Sequence, residues 1–67
     1  MRVRYISETD ALLIDLKDDP VVDSEFIEDL GVVVDYNDKG EVVGLEILDW
    51  SKFQKEGREI HLALPIP

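Results

Sequence analysis

The stretch "DYNDKGEVVGLE", residues 35–46, places Asp35, Asn37, Gly40 and Glu46 at positions one, three, six and twelve of a calcium-loop spacing. A loop of the EF-hand type lies between two helices and needs an oxygen ligand at position five. Here position five is Lys39, a cation, and both flanks alternate with a period of two. Upstream, Val32, Val34 and Tyr36 are in phase; downstream, Val43, Leu45 and Ile47 make one apolar face, with Val42, Gly44, Glu46 and Leu48 on the other. Two strands of matched length therefore flank "NDKG" at residues 37–40. Asn37 and Asp38 tolerate left-handed backbone and Gly40 supplies positive φ, so the stretch reads as a hairpin turn rather than a metal loop.

Strands extend outward from that hairpin. In "RVRYI", residues 2–6, Val3 and Tyr5 oppose Arg2 and Arg4, as in a half-buried strand. After the turn formers "SETD" at 7–10, "ALLIDLK" sets Leu12, Ile14 and Leu16 against Leu13, Asp15 and Lys17, which makes a second strand and a hairpin. Pro20 interrupts the pattern, because it lacks an amide donor and restricts Asp19 to extended geometry. "VVDSEFIED", residues 21–29, is read as a third strand in which a bulge reconciles the opposite parities of Val22 with Phe26 and Val21 with Ile27. In "DWSKFQKEG", residues 49–57, Asp49 or Ser51 serves as N-cap, Ser51 and Gln54 have capping-box spacing, and Gly57 is a stop. That predicts a helix of one to two turns whose Trp50 and Phe53 cover one sheet face. The tail "REIHLALPIP" alternates Ile60, Leu62 and Leu64 with Glu59, His61 and Ala63, and offers a sixth strand or a segment for strand addition.

Length and charge narrow the function. A chain of 67 residues makes one small domain, 1–57 with a tail at 58–67, and a domain of this size buries only roughly 60% of its unfolded surface. With no cysteine, disulfide and thiolate-metal reinforcement are excluded, so self-association, a dimer first, is the expected source of extra burial. No apolar run of secretory or membrane-spanning length occurs, and a soluble cytoplasmic protein without membrane contact is expected. Sixteen acidic residues against seven basic ones give a formal charge of −9, which repels a phosphate backbone and attracts a basic protein. Nucleic acid is therefore not an expected partner.

Chemistry-bearing constellations are few. His61 is the only histidine, and it lacks a second one for metal ligation. Adjacent acids such as Asp18–Asp19 and Glu28–Asp29 are expected by number alone in so acidic a chain and read as solvated surface. Ser7, Ser24 and Ser51 have no triad spacing, and the four glycines are scattered rather than gathered into a phosphate cradle. Gly44, mid-strand, marks a bulge or a close backbone approach. The five aromatic residues, Tyr5, Phe26, Tyr36, Trp50 and Phe53, read as core. No catalytic residue, cofactor or metal ligand is assigned, and a non-enzymatic protein is expected.

The strings "RVRYISETDALLIDL" and "DYNDKGEVVGLEILDWSK" resemble the small stand-alone proteins of the domain of unknown function 2283 family. Tyr5, Asp10, Ala11, Leu12, Ile14 and Leu16 fit the family's first segment, and Asp35, Tyr36, Gly40, Val43 to Asp49, and Ser51 its second. Leu13 and Trp50 depart from it, standing where tyrosine and alanine are common. The resemblance implies a small, mostly antiparallel sheet of unassigned activity and an antitoxin-like role. Asp10 and Glu46 are the polar matches that bear on function: each forms part of a recognition site, or else Asp10 caps a turn and Glu46 pairs across the sheet with Arg2 or Arg4.

The expected fold is thus mostly β (α+β), an antiparallel meander of about five strands with a short C-terminal helix. The expected function is an acidic protein-interaction module, antitoxin-like toward a small basic protein, with Asp10, Glu46, Trp50, Ile60, Leu62 and Leu64 as interaction residues. The alternative is a small-ligand or metal-binding domain whose site forms at an oligomer interface.

Overall fold

The structure, a computed structural model, describes residues 1–61. Five strands, β1 (Arg2–Ile6), β2 (Ala11–Asp15), β3 (Asp23–Ile27), β4 (Val32–Tyr36) and β5 (Val42–Ile47), precede one helix, α1 (Trp50–Lys55). All pairings are antiparallel and form one open sheet. The spatial order is β1-β2-β5-β4-β3, so β5 rather than β3 lies beside β2. Residues 16–22 carry the chain past β5 and β4, a Greek-key connection. Three strand spacings amount to about 14 Å, within reach of that extended, Pro20-containing segment. Of the tail expected to offer a sixth strand, residues 58–61 form no strand, and Leu62 and Leu64 lie outside the described residues.

Register assigns every side chain to a face, because directly paired residues point the same way. Tyr5, Leu12, Ile47, Val32 and Ile27 make one row of the covered face; Val3, Ile14, Leu45, Val34 and Glu25 make the next. Val32, Val34, Leu45 and Ile47 are buried there under Phe53 of α1, with Trp50 and Ile60 packed at the margin. Trp50 stacks on Phe53 with ring centroids 5.7 Å apart.

Three local expectations are corrected. The third strand contains no bulge: Val21 and Val22 precede β3 in the connection, and Ile27 faces the core while Phe26 faces away, 55% exposed. The irregularity lies instead between β4 and β5, where Asp35 pairs with Gly44 but Tyr36 pairs with Val42. Val43 is the extra residue, and the slip turns Val42 toward the core, the side opposite to that expected from strict alternation. Finally, the aromatic residues do not all serve the core, since Tyr5 is 50% exposed at the edge strand.

The turn at residues 37–40 is organised by Asn37, 4% exposed. Its Oδ1 accepts the amides of Lys39 and Glu41, both at 2.9 Å, while its Nδ2 donates to Asp19 and Glu41. A residue at a calcium-ligand spacing thus has its side chain fully engaged in fastening the β4–β5 turn to the β2–β3 connection. Gly40 takes φ 76°, as this turn requires.

Candidate functional site

The sequence-assigned residues separate onto opposite sides of the sheet. On one side, Asp10 sits at left-handed φ 52° in the β1–β2 turn and reaches across to α1. Its carboxylate accepts the Tyr5 hydroxyl at 2.7 Å, the Ser51 hydroxyl at 2.9 Å and the Ser51 amide at 3.1 Å. Its carbonyl accepts the Trp50 amide at 2.8 Å. Asp49, the residue preceding α1, is itself left-handed and makes no side-chain cap, so neither expected local cap operates and Asp10 supplies one from another element. The Tyr5 hydrogen bond, helped by the donors of Ser51, holds the Asp10 carboxyl below its usual range, and the same bond, with burial, lifts the Tyr5 phenol above its own. Asp10 and Trp50 therefore dock the helix, and Ile60 packs against the core beside it.

Glu46 lies on the other face, which no described element covers. One row across that face reads Arg4, Leu13, Glu46, Val33, Phe26; the next reads Arg2, Asp15, Gly44, Asp35, Ser24. The pairing expected between Glu46 and an N-terminal arginine does not form, because Arg2 and Arg4 both turn to Asp15, at 3.0 and 3.5 Å. Leu13 stands between Arg4 and Glu46 in the row, whereas Asp15 directly opposes Arg2. Among the described residues Glu46 makes no ion pair or hydrogen bond, although it is half-buried between Leu13 and Val33. Asp35 is its diagonal neighbour, roughly 7–8 Å away or somewhat less between Cβ atoms for such a pair. Its carboxylate accepts the Ser24 hydroxyl at 2.7 Å and leans over Gly44, where an added Cβ would come within 3.3 Å of Asp35 Oδ2 and of the Ile14 carbonyl.

The Tyr5–Asp10–Ser51 dock and the Asp35–Gly44–Glu46 group use the residues whose spacing marks the chain, and a family model described as "Protein of unknown function (DUF2283)" matches residues 2–51. The chain belongs to the DUF2283 family. No curated protein and no solved structure matches it. The matched span takes in the whole sheet and the first residues of α1, so both polar groups of this DUF2283 chain fall within it.

Sequence reasoning missed Leu13, Val33, Phe26 and Asp35 as companions of Glu46. The signal was present in their parity, but which strands are neighbours, and in what register, is not written in parity alone. Among the described residues no three His, Cys, Asp or Glu side chains gather as a metal cluster, and no helix is long and apolar enough to cross a membrane.

Proposed function

We propose that this DUF2283 protein is a non-enzymatic recognition module acting in the cytoplasm, an antitoxin-like acidic partner of a small basic protein, which engages neither nucleic acid nor membrane. The observation that carries the reading is the pair of carboxylates, Asp35 and Glu46, which make no ion pair among the described residues and share a sheet face that no described element covers. In a chain of net charge −9 these acids add to a field that speeds encounter with a basic protein, and a complementary face fixes its orientation. The test is affinity capture with the tagged protein, followed by titration of the purified partner at low and moderate salt. A stoichiometric basic protein whose affinity falls as salt rises supports the reading; capture of the protein alone, or of a salt-insensitive partner, overturns it.

A homodimer, the reinforcement expected of so small a chain, belongs to the same proposal. Its surface is the strip of Val3 and Tyr5, 54% and 50% exposed on the α1-bearing side of the edge strand. Sedimentation of the wild type against Val3→Lys reads this directly: a dimer lost in the variant supports the strip, and a wild-type monomer at high concentration removes it.

A further inference from the structure

We infer that the uncovered face docks a basic amphipathic segment of the partner, with one lysine or arginine seated between Glu46 and Asp35 above Gly44 and apolar side chains on Leu13, Val33 and Phe26. The inference rests on the recognition reading above and gives it a place. Charge is unevenly spread across this face: the guanidinium groups of Arg2 and Arg4 are both drawn to Asp15 at the β1–β2 side, which leaves Asp35 and Glu46 without an ion pair among the described residues at the β5–β4 side. Apolar groups flank those carboxylates, with Leu13 and Val33 half-buried on either side of Glu46 and Phe26 55% exposed beyond Val33. An incoming cation would meet the carboxylates with low-dielectric neighbours, where a charge-assisted hydrogen bond is stronger than in water.

A second copy of the chain fits the face poorly. A twofold axis along β5 brings Glu46 against Glu46, and an offset that sets Arg4 of one copy over Glu46 of the other leaves Val33 and Phe26 without cover. A basic segment of different sequence satisfies the charges and the apolar groups together. Because Gly44 has no side chain, the Asp35 carboxylate lies over it, near the centre of this face.

The test titrates isotope-labelled protein with a synthetic leucine–lysine amphipathic peptide of about 18 residues, helical over roughly 27 Å, carrying an arginine at the centre of its apolar face. An oligolysine of equal charge serves as the control. The expected result is saturable amide shifts at Leu13, Val33, Phe26 and Glu46, an affinity lowered about tenfold by Glu46→Gln, and no saturable shift at these residues with oligolysine. Phe26→Ser is the second variant, and it should weaken binding without altering the amide spectrum of β2 and β5. Shifts that cluster at Asp18, Asp19 and Asp38, with affinity unchanged by Glu46→Gln, would overturn the face assignment while leaving the basic-partner reading intact. No binding to either peptide at low salt would overturn both. Concentration-dependent shifts of the same face in the protein alone would identify a second copy as the occupant and overturn the inference.

Discussion

Asn37 and Asp10 each join segments that are distant in the chain, and each does so with every polar atom of its side chain occupied by a partner. Replacing Asn37 by alanine removes the acceptor of two backbone amides in a nearly buried turn, so Asn37→Ala is expected to cost about 2–3 kcal/mol in urea denaturation. Asp10→Ala loses the helix cap and strains a left-handed backbone, and a fall of several degrees in melting temperature at neutral pH is expected. The pH dependence of that difference has a defined sign. Asp10 has a folded-state pKa below its ordinary value of 3.8, so its contribution is present above that value and is lost as pH falls through the lower, folded one. Tyr5 has a folded-state pKa above its ordinary 10.0, so its contribution is present below that value and is lost as pH rises through the higher one. The gap between the melting curves of wild type and Asp10→Ala should narrow as pH falls through the folded-state pKa of Asp10, down to the pH-independent cost of the left-handed backbone; a gap of unchanged size at strongly acid pH would contradict the carboxylate's role.

The strands could be read from the sequence because alternation in "RVRYI", "VVVDY" and "EVVGLEIL" is a local property of each. What could not be read was anything set by distant neighbours. Asp10 and Ser51 stand 41 residues apart, so the cap of α1 carries no motif, and "SKFQ" offered a false local one. Glu46 looked like a salt-bridge partner of the N-terminal arginines until the register gave them Asp15 instead. Gly44 was the informative exception, a glycine inside a strong strand pattern, and it sits beside both a bulge and a close approach. Gly44→Ala is expected to destabilise by about 1–3 kcal/mol through overpacking. Adding Asp35→Ser should recover only part of that loss in a double-mutant cycle, since the Ile14 carbonyl is backbone and cannot swing away. In α1, Phe53 is the buried aromatic that closes the core, and Phe53→Ala, at about 3–5 kcal/mol, should leave so small a domain largely unfolded by circular dichroism.

As a whole the molecule is a single sheet with two free edges among the described residues, β1 and β3. Each edge carries charge of one sign: Arg2 and Arg4 on β1, Asp23 and Glu25 on β3. Pairing either edge with its own copy opposes like charges, a device that keeps exposed strands from adding to one another. Glu25→Val should therefore increase self-association, measured as a concentration-dependent rise in sedimentation coefficient, whereas an unchanged monomer–dimer balance would show that the edge is guarded by something else. The position of β5 between β2 and β4 has a consequence in time. The meander β3–β4–β5 is built from near neighbours in the chain, but the β2–β5 ladder closes only when residues some thirty positions apart meet, such as Leu12 with Ile47 and Asp15 with Gly44. Loops of that length close more slowly and at greater entropic cost than hairpins. The N-terminal hairpin, although synthesised first, waits for β5 to be made before β2 has its second neighbour, and the meeting of the two halves of the sheet is expected to set the pace of folding, a step that a substitution in the β2–β5 ladder would slow in refolding kinetics.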